Sequence, residues 1–450
     1  MPLNPRRVKL DNGITVIAKS NHTTPAVSLV VGVRTGAYFD PPERDGTAAL
    51  CARVLDRGTV TRSANAIADD LDGRGASLSV AGGRHQMAIA ATRLVDDLAA
   101  VLGLAADIAR HPRFADSEIE TRRDNLITAI RQEEDSPAAM AADAFAKALY
   151  GSHPYARKVR GTVAGIESIR RQDLVRFHQK GYDPPAITVI VVGDIEEEKA
   201  IAAVSKLFGA WPPSAKASLT DKAVVTVPAA PVITERKLVS VPMMDKSQAD
   251  EVYGFAGIRR SHPDYTSFSV INNALGQYAI GGRLGDNIRE RQGLAYYVPT
   301  SLDATLGPGP FAIRAGVAAA NVEKTIASID AELTSVIEAG FTQQEIDESK
   351  SYMIGALPRQ LETNAALGSF LLTIETFNLG LDYDERLPGL IGAITRDAAD
   401  AAARQLLNPK RATIAVAGPW TPPSAPAPSP VPPPAAEAAP PPAVDPSNLV

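Results

Sequence analysis

Two polar side chains, Arg289 and Tyr296, have the types and spacing to hold a peptide backbone. They lie in residues 283–297, where the pattern predicts a helix ending at Gly293 and then a strand. A guanidinium near the helix end and a phenol at the strand start would face one cleft, where both donate hydrogen bonds to a carbonyl or carboxylate oxygen. The residues alone leave a second interpretation open, in which the arginine is solvated and the tyrosine belongs to a sheet.

The rest of the chain shows no complete catalytic set. No two of its six histidines are three or four residues apart, so no helix presents the paired histidines of a zinc site. The glycine-rich run 276–283 lacks the Gly-Lys-Ser/Thr ending of a phosphate loop, and a Gly-x-Ser-x-Gly elbow is absent. The single cysteine, Cys51, excludes an intrachain disulfide or a cysteine-cluster metal site. We expect it to be a small buried hydrophobe.

The elements that must position these residues occur twice. Segment 184–193 returns as 409–418, with matching residues 225 positions apart; upstream the offset is 218, and in between it is 227. The matching pairs include Thr188/Thr413, Gly193/Gly418, Gly58/Gly276, Gly75/Gly293, Val80/Val298 and Phe114/Phe341. A drifting offset in preserved order is typical of duplication followed by loop insertions and deletions. The period far exceeds the roughly 20–50 residues of solenoid repeats, so the chain is predicted to hold two tandem domains of one fold.

Each half mixes strands and helices. Strands are predicted at 14–18 and 28–33, helices at 47–55 and 65–72, and closing strands at 188–192 and 413–417. Helical apolar spacing runs from Leu94 to Ile108 and again from Val322 to Ile337, where Gly340 provides a C-cap. The predicted fold class is α+β: two tandem homologous domains, each a mostly antiparallel sheet with helices packed on one face.

Composition sets the predicted domain boundaries. We expect an N-terminal domain at 1–213, a proline-bearing linker at 214–232, a C-terminal domain at 233–420 and a tail at 421–450. The tail holds 12 of the 35 prolines, with alanine and serine between them, so it is predicted to stay extended and unfolded. It would serve as a spacer or bind a proline-reading module.

Charge and hydropathy exclude some function classes. The chain has 46 Lys+Arg against 51 Asp+Glu, a net charge of −5, and gives no sign of binding nucleic acid or an anionic membrane. No apolar run approaches the about 20 residues of a membrane span, and the N-terminus lacks the apolar core of a secretory signal. The chain as written is expected in the cytoplasm. If a signal peptide had been removed, the remaining sequence would read the same, and the protein would be expected in the periplasm.

Residues 8–418 resemble the pitrilysin/insulinase family of zinc metallopeptidases. The resemblance rests on ordered motifs in both halves: Leu10-Asp-Asn-Gly-Ile-Thr-Val-Ile, Val33-Arg-Thr-Gly-Ala37, Gly75-Ala-Ser-Leu, His153-Pro-Tyr, Gly161-Thr-Val, the strand ending in Gly193, and the Arg-x-x-x-Gly-Leu-Ala-Tyr segment that begins at Arg289. It implies repeated α+β domains arranged as a clamshell and a role in peptide cleavage.

The chain departs from the family at the metal. The family's His-x-x-Glu-His positions fall on Ala49, Ala52 and Arg53, and its third ligand position falls on Ala129. Methyl groups cannot ligate a metal, and a permanently charged arginine repels one. The resemblance therefore implies a degenerate zinc site and no metal bound by this chain. Glu133 and Glu134 are expected on a solvated helix face.

The Arg289/Tyr296 pair, by contrast, matches the family. There the two residues come from the domain opposite the zinc and hold the substrate backbone, and some members divide the zinc and the pair between two chains. This implies a non-catalytic, substrate-binding subunit of a heterodimeric zinc metalloendopeptidase, with zinc expected in a homologous partner that carries His-x-x-Glu-His. Two alternatives remain: a structural core-type subunit with no role in proteolysis, and a self-sufficient hydrolase with an unrecognised site.

Overall fold

The computed structural model describes residues 2–213, 226–278 and 281–422. Part of the predicted linker and nearly all of the predicted tail lie outside these residues, so the domain boundaries remain predictions. The described residues up to Trp420 belong to one compact body that contains two mixed sheets, one from each half of the chain.

The first sheet has the strand order β1-β2-β6-β3-β5-β4. Its strands are β1 Arg6–Lys9, β2 Thr15–Ser20, β3 Ala26–Val33, β4 Ser77–Gly82, β5 Met87–Leu94 and β6 Ile187–Gly193. Among the described strands of this sheet, only β2 and β6 pair in parallel, and the other neighbours are antiparallel. The helices of this half are α1 Thr47–Val54, α2 Ala64–Gly73, α3 Leu98–Arg110, α4 Asp116–Glu134, α5 Pro137–Tyr150, α6 Val163–Ser168, α7 Arg171–Gly181 and α8 Glu197–Phe208.

The second sheet has the order β10-β11-β8-β12-β7, with β9 also paired to β11. Its strands are β7 Lys237–Pro242, β8 Ala249–Ala256, β9 Ala295–Tyr297, β10 Thr300–Leu302, β11 Pro310–Val317 and β12 Thr413–Gly418. Its helices are α9 Tyr265–Gly276, α10 Gly282–Leu284, α11 Val322–Ala339, α12 Gln343–Gln360, α13 Asn364–Phe377, α14 Tyr383–Gly392 and α15 Arg396–Leu406. A π-helix, Gly285–Arg291, continues α10.

The repeat predicted from the sequence is confirmed element by element. Helices α1 and α9, helices α2 and α10, and strands β4 and β9 each begin 218 positions apart. Strands β3 and β8 match over their whole length at an offset of 223. Both sheets place their one parallel pair at the same point, β2 with β6 and β7 with β12. The two-domain α+β fold class is therefore confirmed.

One helix of each half packs on the sheet of the other half. Helix α5 of the first half packs on the second sheet, and α13 of the second half packs on the first sheet, so both sheets are covered on both faces. Phe145 of α5 lies over Gly254, where an added Cβ would come within 2.9 Å of the ring, and Leu372 of α13 lies over Gly32 in the same way. Glycine is needed at Gly32 because Leu372 occupies the space of a Cβ. It is needed at Gly254 because the Phe311 carbonyl oxygen, 2.2 Å from that Cβ, and Phe145 both occupy this space.

The His153-Pro-Tyr motif joins the halves at a second point. The Tyr155 hydroxyl is 2.7 Å from His85 Nε2 in the first half and 2.7 Å from the Thr305 hydroxyl in the second. It also accepts a hydrogen bond from the Gly307 backbone N–H at 2.9 Å. Tyr155 is buried, so this phenol satisfies polar groups from both halves away from water.

The structure bears on two sequence predictions for the first half, the start of the helix after β5 and the burial of Cys51. The helix predicted from Leu94 begins only at Leu98, because Leu94 ends β5, where it pairs with Ala26 of β3. Cys51 is fully buried in the first core, as expected. Within the described residues, no helix combines the length and apolar character that crossing a bilayer requires.

Candidate functional site

The four positions predicted to match the family's zinc residues lie on two helices of the first half. Ala49, Ala52 and Arg53 belong to α1, which packs against α4, the helix that carries Ala129. Ala52 is buried against the edge strand β4, where a Cβ built on Gly82 would lie 3.4 Å from its methyl group. Ala49 and Ala129 are half-buried and Arg53 is exposed. The structure thus brings the four positions onto adjoining elements at one edge of the first sheet.

These side chains do not fit a zinc ion. Three alanines offer no donor atom, and the one polar group is a cation. In the described parts of the chain, no three His, Cys, Asp or Glu side chains gather in a way that would hold a metal. The nearby Glu133 pairs with Arg160 on the half-exposed surface of α4, as expected for a solvated helix face.

Hydrogen bonds from the backbone to a buried carboxyl group nevertheless stabilise the start of α1. Asp40 accepts hydrogen bonds from the backbone N–H groups of Gly46 at 2.7 Å and Ala48 at 2.8 Å, which satisfies the free donors at the start of α1. Burial raises the pKa of Asp40 to about 7, although the two backbone hydrogen bonds and Arg157 lower it. The first half therefore keeps the scaffold of this edge without metal-binding side chains.

Arg289 lies on the π-helix at the matching edge of the second half. The helix is tied to α11 and α12 from behind, because Arg283 donates to Glu332 and, at 3.1 Å, to Glu345, and Asn287 donates to Glu332. Ion pairs that are four-fifths buried, as these are, hold a segment better than exposed pairs do. A π-type turn is rare and is frequently found at functional sites.

The Arg289 and Tyr296 side chains both reach solvent. Arg289 is about half exposed, and its nearest charged partner is the adjacent Glu290, with Nε 3.4 Å from Oε1. Tyr296 is 69% exposed, which is unusual for so large a ring, and it lies in the middle of β9. Neither side chain is committed to a buried partner within the described chain, so both are available to a ligand.

Tyr297 fixes the strand that carries Tyr296. Its ring packs against Gly316 of β11, where an added Cβ would come within 2.5 Å of the ring. Its hydroxyl donates to Asp250 of β8, one strand further, and burial and the Asp250 charge both raise the pKa of this phenol. Because neighbouring strand residues point to opposite faces, anchoring Tyr297 on one face directs Tyr296 to the other.

The predicted helix followed by a strand is confirmed for residues 283–297, but two features were missed. The π-type winding has no distinct signal in the apolar pattern, which also fits an ordinary α-helix. The Tyr297–Asp250 bond joins residues 47 positions apart, and only the glycine at 316, opposite a tyrosine in the register, could have indicated it. The structure places Arg289 and Tyr296 on adjoining elements of one edge.

Family comparisons match both halves. The family described as insulinase (peptidase family M16) matches residues 15–163, and the one described as peptidase M16 inactive domain matches residues 168–353. An uncharacterized zinc protease of Mycobacterium leprae is 28% identical over 422 residues, which cover 92% of each chain. An uncharacterized zinc protease of Bacillus subtilis is 26% identical over 358 residues, which cover 80% of this chain and 85% of that one.

Solved structures share the fold over nearly the whole chain. A peptidase M16 inactive domain from Pseudomonas fluorescens gives a TM-score of 0.83 at 25% identity and covers 93% of this chain and 98% of that one. A protease from Helicobacter pylori gives a TM-score of 0.84 at 18% identity and covers 93% and 100% of the two chains.

Proposed function

Because the chain belongs to the insulinase family of peptidases, family M16, we propose that it is the non-catalytic, substrate-binding subunit of a two-chain zinc metalloendopeptidase. In this proposal Arg289 and Tyr296 hold the backbone of a peptide substrate. A homologous partner subunit supplies the zinc, the attacking water and the general base. This chain binds no cofactor of its own.

The observation that carries the proposal is the contrast between the two sheet edges. At the first edge, Ala49, Ala52, Arg53 and Ala129 provide no ligand and no base. At the second edge, an exposed guanidinium and an exposed phenol sit on a helix and a strand that are each anchored from behind. Exposed polar side chains on well-anchored elements are typical of binding sites, since rigid support preserves their geometry.

The pair suits the backbone of a peptide more than any one side chain. Both groups are donors, and a peptide carbonyl offers two lone pairs without regard to sequence. If the carbonyl under attack gains negative charge, donors that are already in place stabilise that charge at the moment of reaction. The guanidinium adds a full positive charge and a planar set of donors, which an ammonium group cannot reproduce.

The names of the relatives indicate what the proposed partner subunit must carry. The relatives from Mycobacterium leprae and Bacillus subtilis are described as zinc proteases, whereas this chain has alanine or arginine at all four family positions. The proposal therefore requires a second chain with His-x-x-Glu-His, encoded beside this one or elsewhere in the same genome. The absence of any such relative from the genome would remove its premise.

Reconstitution tests the proposal directly. The purified chain and a partner with His-x-x-Glu-His are assayed on a quenched fluorescent peptide library, separately and mixed, with and without a chelator. The expected result is chelator-sensitive cleavage that requires both chains. Equal cleavage by the partner with and without this chain would contradict the proposal.

One observation favours a structural role instead. Arg289 contacts Glu290 on its own helix, as a merely solvated arginine would, and no hydrogen bond joins Arg289 and Tyr296 in the described chain. In that case the chain would assemble with a partner and leave its activity unchanged. Analytical ultracentrifugation of the mixture, run beside the cleavage assay, separates this outcome from a failure to associate.

A further inference from the structure

A cavity of about 670 Å³ lies among helices α9, α12, α13 and α14 of the second half, and its lining includes neither Arg289 nor Tyr296. We propose that this cavity binds a small amphipathic carboxylate: a single carboxylate group on an apolar body. The volume lies within the range of about 300–1,000 Å³ that is usual for small-molecule sites. The proposal is independent of the proposed peptidase role.

The charge of the cavity lining indicates the charge of a suitable ligand. Among the described residues that line the cavity, Arg260 is the one that carries a charge. The remaining lining residues are uncharged, so a ligand meets a single positive charge and no negative one. A ligand with one negative charge complements this wall, whereas a cation meets repulsion and a neutral molecule leaves the charge uncompensated.

Arg260 is held as a preformed binding group. Its guanidinium stacks 3.6 Å from the centre of the Tyr265 ring, and it donates one hydrogen bond to the Tyr383 hydroxyl at 2.7 Å. The ring of Phe377 lies 5.9 Å away. Aromatic stacking restrains a guanidinium without using its in-plane donors.

The remaining donors of Arg260 are not taken up by acids. In the described chain no carboxylate lies within ion-pair distance of this guanidinium, whereas the neighbouring Arg386 is paired with Asp382. A guanidinium has five N–H donors in a planar fork that matches the two oxygens of a carboxylate. The Tyr383 hydroxyl accepts one of them, so the fork can still receive a carboxylate from the cavity.

Part of the cavity lining is apolar. Met353 and Leu357 of α12, Phe370 of α13, and Leu387 and Ile391 of α14 contribute aliphatic or aromatic surface. These residues would bury the hydrocarbon part of a ligand and favour it by about 25 cal/mol per Å² removed from water. Two sources offer this chemistry: a medium-chain fatty acid, and the free carboxyl end of an apolar amino acid or short peptide.

Titration calorimetry on the full chain tests the site with three probes: octanoate, N-acetyl-leucine and octan-1-ol. We expect saturable 1:1 binding of at least one of the two carboxylates and at least about tenfold weaker binding of the alcohol, which lacks the charged partner for Arg260. Preference for octanoate identifies a fatty acid as the source, and preference for N-acetyl-leucine identifies a peptide end. Absence of binding by both carboxylates at millimolar concentration, or equal binding of the alcohol, overturns the proposal.

Two arginine variants locate the site. Arg260→Gln is expected to weaken carboxylate binding at least about tenfold. Arg386→Gln is the matched control, because Arg386 lies 5.8 Å from the same Tyr383 ring but is paired with Asp382 at 2.7 Å and does not line the cavity. Its affinity should equal that of the wild type. Equal affinities for all three proteins would overturn the assignment.

A second variant keeps the test decisive if Arg260→Gln does not fold. Leu387→Trp places a larger ring in the apolar part of the cavity and leaves the guanidinium in place. It is expected to abolish binding of both carboxylates, and circular dichroism verifies that the variant is folded. Unchanged binding by a folded Leu387→Trp protein would place the ligand elsewhere and contradict the proposal.

Discussion

The two halves of the chain form equivalent sheet edges that carry different side chains, apolar in the first half and polar in the second. At the positions that match Arg289 and Tyr296, 218 residues earlier, the first half has Leu71 and Leu78. These leucines are half-buried, whereas the arginine and the tyrosine are exposed. A fold that tolerates both pairs does not need the polar pair for its stability, which supports a binding role for it.

The reverse comparison concerns the helix beside each edge. Ala49, Ala52 and Arg53 of α1 match Ser267, Val270 and Ile271 of α9, and those three residues are buried. Equivalent helices pack on this helix in both halves: α4 and α7 on α1, and α12 and α15 on α9. In the first half, Arg53 remains exposed and Ala49 is partly exposed. The first half therefore leaves two of its three predicted zinc positions on α1 accessible to solvent, with no side chain there that could ligate a metal.

The largest effect is expected where the halves exchange helices. Phe145→Ala in α5 should lower the free energy of unfolding by about 3–5 kcal/mol, because it opens a cavity above Gly254. Leu372→Ala in α13 should lower it by about 2–5 kcal/mol for the same reason. Urea denaturation measures both, with the exposed Lys147→Ala on α5 as the control. If only one variant were destabilised, the two exchanged helices would not be equivalent.

The next effect concerns the pair that only the second half has. In the reconstituted enzyme, Tyr296→Phe removes one donor and keeps the ring, so cleavage should slow about 10²-fold, or about 2–4 kcal/mol, while assembly is retained. Arg289→Lys should also fail, since an ammonium lacks the planar fork. The matched control is Arg291→Lys, because Arg291 is an exposed arginine that is paired with Asp286 at 2.6 Å. Wild-type rates for both pair variants would make the pair structural.

A smaller effect is expected where Tyr155 joins the halves. Tyr155→Phe leaves the Gly307 N–H and His85 without a buried partner, which should cost about 1–3 kcal/mol of stability. The control is Tyr38→Phe, because that hydroxyl makes one long hydrogen bond, 3.4 Å, to the Thr226 carbonyl. Thermal unfolding compares the two variants. Equal melting temperatures would show that the phenol does not link the halves.

The last effect depends on pH and concerns the central strands β3 and β8 of the two sheets. Glu251 of β8 is buried at the position of Ser28 in β3, and in the described chain neither of its carboxyl oxygens has a hydrogen-bond partner. Burial raises its pKa to about 9 from 4.5, so the folded chain holds a proton that the unfolded chain releases. Stability therefore falls as pH rises between these values, by at most about 1.4 kcal/mol per pH unit.

Glu251→Gln should remove that slope. The variant is expected to match the wild type near pH 5 and to be more stable near pH 8, as measured by urea denaturation at both values. The exposed Glu362→Gln variant controls for the loss of one charge. The same pH dependence in the Glu251→Gln protein and the wild type would show that Glu251 ionises in the folded chain.

The sequence predicted the features that depend on local pattern and failed on those that depend on distant partners. Repeated glycines such as Gly75 and Gly293 were enough to align the halves, since each marks the end of equivalent helices. The exchange of α5 and α13 was missed because an amphipathic helix does not specify which sheet it covers. The Tyr297–Asp250 bond and the Arg260 cavity were missed for the same reason, as their members come together only in the folded chain.

The zinc content of the purified chain tests the central comparison most directly. The chain is incubated with zinc, dialysed against zinc-free buffer and measured by inductively coupled plasma mass spectrometry, beside a relative that carries His-x-x-Glu-His. Since Ala49, Ala52, Arg53 and Ala129 offer no donor, we predict far less than one zinc per chain here and about one in the relative. One zinc retained per chain of this protein would contradict the account.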